Sequence, residues 1–196
     1  MVVNDSKKFT PNLCPTRWFS LNHYVSRRHQ PLFLLEESAM EKPKNQLNIP
    51  GLFYLAANDL AAKETLAHFL QTNQAVTIEP KWQYVPFLSL KDNLSLANKK
   101  EKPLEELLTA VHLEPTFLKR SLDELTSLEE VKVQLLLALL LEKPVIVLET
   151  LSKNLHTADI QALLPLCSQL AKQFQLSIYL MNEDERLAHT PYITKQ

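Results

Sequence analysis

The chain has 196 residues and a mass of 22.5 kDa, with 45% hydrophobic and 22% charged residues, so it is long enough to bury one full core. A formal net charge of −1 and a pI near 6.6 exclude a global attraction to nucleic acid or anionic lipid, and the basic lean of Lys7, Lys8, Arg17, Arg27 and Arg28 reads as a solvated edge. There is a single glycine, Gly51, where average usage of about 7% would give about 14.

Cys14 and Cys167 are far apart, and neither has a second cysteine or a close histidine at metal-ligand spacing, so a zinc site and a disulfide framework are both unsupported. The six histidines form no close pair outside the N-terminal region, and no metal is expected. Cysteine usage points to a reducing, cytoplasmic compartment. The opening MVVNDSKKFTPN is too polar for a signal peptide. The longest uncharged apolar run, Val133–Leu141, is about half of the roughly 18 residues a membrane span requires, so no direct insertion is expected.

In chain order, the first fifty residues read as short strands and loops, broken by prolines at 11, 15, 31, 43 and 50. LFYLA (52–56) is an apolar run of strand length, and AAKETLAHFLQ after it repeats Ala62, Leu66, Phe69 and Leu70 at helical spacing. WQYVPFLSLKDNLSLA (82–97) predicts a short strand ending at Pro86 and a helix opening near Ser89. PLEELLTAVHL is amphipathic through Leu104, Leu107, Leu108 and Val111, which makes residues 87–124 a mostly helical, peripheral subdomain. SLEEVKVQLLLALLL predicts a helix with Ser127 as N-cap and apolar residues on nearly all sides. VIVL (145–148) reads as a central parallel strand covered on both faces. A helical stripe from Ile160 to Phe174 follows, which Pro165 should kink or divide, and LSIYLM (176–181) is a further strand. The alternation predicts an α/β fold with a doubly wound sheet in one domain spanning residues 1–196.

Four segments in order resemble the ATP-binding subunit of an ABC transporter. IPGLFYLAANDLAAKETL (49–66) resembles the strand, phosphate loop and helix that the family writes around GPNGAGKST. YVPFLSLKDNLSL (84–96) resembles the Q-loop segment, LTSLEEVKVQLLLALLLEKPVIVLET (125–150) the LSGGE signature, its helix and the Walker B strand, and LSIYLMNED (176–184) the strand that ends in the switch histidine. The resemblance implies a P-loop ABC-ATPase-like layered sheet with a reduced helical subdomain.

Against that pattern most functional positions differ. Phosphate loops cradle phosphate with successive backbone N–H groups at a helix start, and their glycines allow the close approach. Ala57, Leu60 and Ala62 stand at the glycine positions while Lys63 is kept, and Leu60 would fill a turn that often needs positive φ. Glu64 stands at the magnesium-binding serine position, with Thr65 after it. A carboxylate about 5 Å from a phosphate charge is repelled by roughly 3 kcal/mol at an effective dielectric near 20. Asp59 and Glu64 are therefore expected to occupy the positive helix end themselves. Ser127 and Leu128 align with the signature glycines, ahead of Glu129. At the Walker B end Glu149 could accept a metal or water bond, but Thr150 replaces the catalytic glutamate and cannot act as a general base near neutral pH. Phe87 replaces the Q-loop glutamine and Asn182 the switch histidine.

The resemblance with these departures implies that the chain is not an enzyme but a catalytically degenerate pseudo-ATPase, with a structural or regulatory role in a transporter-like complex. No cofactor is expected beyond weak ATP and magnesium. Its implied partners are a membrane permease, docked on Phe87, Leu88 and Leu90, and an intact ABC ATPase subunit in a homo- or heterodimer; that would place it at the inner face of the membrane. One alternative is a subunit that still binds nucleotide through Lys63, Thr65 and Glu149 and forms one weak site of a heterodimer. The other is an unrelated α/β binding scaffold, to be excluded if the 52–56 strand lies beside the strand that carries Glu149.

Overall fold

The computed structural model describes residues 49–79, 81–149, 151 and 154–195. The expected N-terminal strands and Thr150 lie outside the described residues. The order is β1 (Gly51–Ala56), α1 (Leu60–Gln71), β2 (Ala75–Ile78), α2 (Leu90–Ala97), α3 (Leu104–Ala110), α4 (Ser127–Leu140), β3 (Val145–Glu149), α5 (Thr157–Gln173) and β4 (Ser177–Asn182). The four strands are all parallel in the order β1-β4-β3-β2. This is the expected α/β class.

Val145, Ile146, Val147 and Leu148 are all buried because both faces of β3 are covered. Strand alternation divides them. Ile146 and Leu148, with Ile178 and Leu180 of β4, join the large cluster built by α2, α3, α4 and α5. Val145, Val147, Tyr179 and Phe53 face the other way, onto Leu66, Phe69 and Leu70 of α1, where the rings of Phe53 and Tyr179 stack at 5.4 Å.

Several expectations are corrected. The strand expected before Pro86 is not there; the strand is β2, and the backbone after it is held by side chains instead. The Gln134 amide accepts from Glu79 N–H at 3.1 Å and donates to Glu79 C=O at 2.8 Å, and the Glu130 carboxylate accepts from Trp82 N–H at 3.3 Å. The helices between 87 and 124 are not peripheral, since Leu94, Leu107, Leu108, Val111 and Phe117 are buried in the main core. The N-cap of α4 is Thr126 and Ser127 is its first helical residue. That register places Glu129 at the third helical position, where its carboxylate accepts the Thr126 N–H at 2.8 Å in a capping box. Pro165 lies within an unbroken α5. β1 is not beside β3 either: β4, buried throughout its centre, lies between them, so the adjacency expected to exclude an unrelated scaffold is not met.

The lone glycine has a steric reason. A Cβ at Gly51 would meet Thr194 Oγ1 at 2.5 Å, where the C-terminal segment crosses β1 and the Thr194 N–H donates to Leu52 C=O at 2.7 Å. Elsewhere the chain manages without glycine. Asn73, His112, Glu142 and Gln175 each follow the C-cap of a helix with φ between 54° and 57°, the left-handed position that glycine usually fills. Three of these ends carry the Schellman hydrogen bond, from Gln74 N–H to Phe69 C=O at 2.9 Å, Leu113 to Leu108 at 2.9 Å and Leu176 to Ala171 at 2.9 Å. At the fourth, Lys100 and Lys102 both pair with Glu142, and Lys102 also donates to Leu139 C=O at 3.0 Å, which satisfies a carbonyl of the α4 terminus.

Two predictions follow from these helix ends. Gln175→Gly removes left-handed strain of about 1–2 kcal/mol, offset by the greater backbone entropy of glycine and by loss of the Gln175 bond to Lys172 C=O, so urea unfolding should show a net gain of roughly 0.5 kcal/mol. The hydrogen bonds from Lys100 and Lys102 hold the Glu142 carboxyl down from 4.5 to about 2. A depressed folded value means that this contribution is complete above about 4.5 and is lost as pH falls toward about 2. Wild type should therefore lose more stability than Glu142→Gln across that window in urea titrations, with a difference that shrinks in salt because the pair is partly exposed.

Candidate functional site

The strand register sets Ala56 opposite Asn182, and Glu149 opposite the preceding Met181, at the carboxyl ends of β1, β4 and β3, the edge where open α/β sheets hold their ligands. Between β1 and α1 there are three residues, Ala57, Asn58 and Asp59. Their geometry is closed on itself. The Ala57 N–H donates to Asn182 C=O at 3.0 Å, the Asp59 N–H to Ala56 C=O at 3.0 Å, and Asp59 Oδ1 accepts the Ala62 N–H at 3.1 Å as the N-cap of α1.

This geometry corrects the reading of the loop. Leu60 and Ala62 are already helical, and Leu60, the first residue of α1, is 74% exposed with no positive φ, so it does not obstruct a turn. Asp59 alone lies on the helix end. Glu64 is exposed and is the fifth residue of α1, beyond the first turn. Lys63 is exposed as well, with its N–H bonded to Asp59 C=O at 3.2 Å, and the Thr65 hydroxyl donates to Ala61 C=O at 2.9 Å within its own helix. Lys63, Glu64 and Thr65 thus follow one another along α1, and none of these bonds leaves the turn and its helix.

Glu149 is half-buried at the end of β3, opposite Met181. Asn182 is 1% exposed. Its Oδ1 accepts the Asp184 N–H at 3.0 Å, and its backbone carbonyl accepts both the Ala57 N–H and the Tyr54 hydroxyl, the latter at 2.8 Å. Beside it a cavity of about 310 Å³ is lined by Ala56, Ala57, Asn58, Asn182, Glu183 and Glu185. Burial, then the charges of Glu185 and Asp184, push the Tyr54 phenol up. The acidic lining and Tyr54 were missed from the sequence, although the run NEDE directly after an apolar strand was the available signal.

At the start of α4, Ser127 is exposed and Leu128 packs against the core. Glu129 takes the Thr126 N–H and hydroxyl and pairs with Arg120. Burial pushes its carboxyl up, but these hydrogen bonds together outweigh it and hold the group below its ordinary value. Of the three residues expected on a docking surface, Phe87 is 95% exposed and Leu88 half-buried. Leu90 is corrected to core: it is 0% exposed, because the first residue of α2 points into the main cluster. Among the described residues no group of three or more histidine, cysteine or carboxylate side chains could hold a metal ion, and no helix is long and apolar enough to cross a membrane.

No family model matches the sequence, and no match is found among curated proteins. Solved structures do match. The chain is similar to cbiO1 from Clostridium perfringens, part of the ABC transporter complex cbiONQ, with a TM-score of 0.57 and 14% identity over 69% of this chain and 68% of that one. It is similar to an inward-facing putative metal-chelate type ABC transporter, with a TM-score of 0.56 and 16% identity over 70% of this chain and 65% of that one. A third similarity is to the ATP-binding cassette MJ0796, solved as a dimer in a post-hydrolysis state with ADP and Pi, with a TM-score of 0.53 and 12% identity over 73% and 78%. The fold is that of ABC-type ATP-binding cassettes. This corrects the expectation that the chain is not an enzyme: its structural neighbours include a cassette captured after hydrolysis, and nothing among the described residues shows inactivity.

The closed turn gives a prediction. Asp59→Ala leaves the Ala62 N–H without its side-chain acceptor and should lower stability by about 1 kcal/mol, while Asp59→Asn should stay within a few tenths of wild type, both read from urea midpoints.

Proposed function

We propose that the chain works as an ABC-cassette-type subunit of a transporter-like complex, with a structural or regulatory role exercised through contacts with a membrane permease and an intact ATP-binding subunit at the inner face of the membrane. The fold supports this reading, as do the transporter assemblies and the cassette dimer among its structural neighbours. The observation that carries it is the three-residue turn after β1, whose Ala57 and Asp59 N–H groups are both bonded within the protein. Asp59 puts a carboxylate on the helix end where a phosphate would need bare N–H groups. Glu183 and Glu185 add negative charge in the adjoining cavity. Nucleotide is accordingly held weakly here, and the exposed Phe87 turn offers the protein contact.

A calorimetric titration with MgATP, with Lys63→Ala as control, tests the nucleotide half. We expect no binding tighter than about 100 μM, a free energy of roughly −5.5 kcal/mol. Tighter binding that disappears in Lys63→Ala would instead support the reading of one nucleotide site in a heterodimer.

A further inference from the structure

Three of the four helix ends closed by a left-handed residue also receive a lysine ammonium from elsewhere in the chain. Lys132 of α4 donates to His112 C=O at 3.2 Å at the end of α3, and Lys102 to Leu139 C=O at 3.0 Å at the end of α4. At the end of α1 the Lys143 Nζ donates to Asn73 C=O at 2.6 Å and to Asn73 Oδ1 at 2.7 Å. At α5 a neutral group serves, the Gln175 amide on Lys172 C=O. Glycine enters the left-handed region without steric cost, whereas a residue with a side chain has to be held there.

Of these lysines Lys143 holds the most. Lys102 shares Glu142 with Lys100, and Lys132 meets a single carbonyl. One Lys143 ammonium spans two acceptors of the same residue, and among the described residues no carboxylate pairs with it. Asn73 precedes Gln74, whose C=O accepts the Val145 N–H at 3.3 Å at the start of the β2 and β3 pairing, and Lys143 stands just ahead of Pro144 and Val145. A single side chain therefore ties the corner between α1 and β2 to the corner between α4 and β3. β2 has four residues and, among the described residues, pairs with β3 alone. Lys143 is half-buried at this amino edge, with its ammonium group at the surface.

We propose that Lys143 is an acylation site, and that its acylation unfastens β2 from β3. The acyl donor is an acyl phosphate or an acyl thioester. The ammonium first gives a proton to water, and its nitrogen then attacks the acyl carbon. The N–C bond forms, the bond from that carbon to phosphate oxygen or thiol sulfur breaks, and the leaving phosphate or thiolate takes up a second nitrogen proton. The product amide is uncharged and keeps one N–H where the ammonium had three, so it cannot serve both Asn73 acceptors and loses the charge-assisted strength of the bond. A fastened ammonium is no nucleophile. Acylation thus takes place on the released side chain and holds the corner in that released state. Neither nucleotide nor a transporter partner enters into this.

The full chain is treated with acetyl phosphate, acetylated positions are read from peptide masses, and hydrogen exchange is followed at the Val145 amide. Lys143 should be acetylated in the folded protein, and exchange at Val145 should quicken by about tenfold in the acetylated fraction. Untreated Lys143→Gln, which loses the charge without any reagent, should show the same acceleration, and treated wild type carries the comparison alone if that variant does not fold. Lys143→Arg keeps a cation and accepts no acetyl group, so treatment should leave its Val145 exchange unchanged while other lysines react. Lys91→Gln removes an ammonium that has no partner among the described residues and should match wild type. Acetylation of Lys91 without acetylation of Lys143 overturns the site. Unaltered Val145 exchange with Lys143 acetylated, or an equal acceleration in treated Lys143→Arg or in Lys91→Gln, overturns the fastening role.

Discussion

The placement of β4 between β1 and β3 is the constraint on which the rest of the structure depends. β4 pairs along its whole length with β1 and along five residues with β3, so two segments nearly a hundred residues apart end level at one edge of the sheet. Its ends are fastened too. The Ser177 N–H donates to Pro144 C=O at 2.9 Å and the Gly51 N–H to Leu176 C=O at 3.0 Å, while at the far end the Asn182 carbonyl receives Ala57 and Tyr54. The β1 turn is therefore short because its first residue is tied sideways to β4 and its last caps a helix, which leaves one free residue, Asn58, to span the corner.

α4 is the second organiser. Its apolar residues pack on nearly all sides, and two of its polar residues hold the backbone of the segment leaving β2: Glu130 and Gln134, one turn apart, bond Trp82 and Glu79. Asn93 continues this on α2 by holding Val85. Bonding of this kind gives an irregular segment the fixed shape that a sheet would otherwise supply, at the point where the chain turns outward to Phe87.

Much of the fold was legible in the sequence because its strands are continuous apolar runs. Residues 52–56, 145–148 and 176–181 fall within one residue of β1, β3 and β4. β2 was not legible: Ala75, Val76, Thr77 and Ile78 are too few to show a period, whereas Trp82, Tyr84 and Val85 have strand propensity without a strand to pair with. The absence of glycine from the β1 turn was plain, but its length was not. Alignment to a longer loop carried Leu60 and Ala62 into it, although Asn58-Asp59 ahead of an apolar period is itself a helix-start signal. The acidic cavity escaped because Glu183 and Glu185 meet Asn58 only through the parallel register of β1 and β4.

The left-handed residues that close α1, α3, α4 and α5 bear on how the molecule can move. A chain with one glycine enters folding from a narrower unfolded ensemble, so the strain at Asn73, His112, Glu142 and Gln175 is partly balanced by entropy that never has to be lost. The same economy removes the residues best able to swing through wide changes in φ and ψ, and the one glycine present is pressed against Thr194. Hinge bending between helices and sheet would then have to be absorbed by residues that carry a side chain, whereas shear of packed elements past one another makes no such demand.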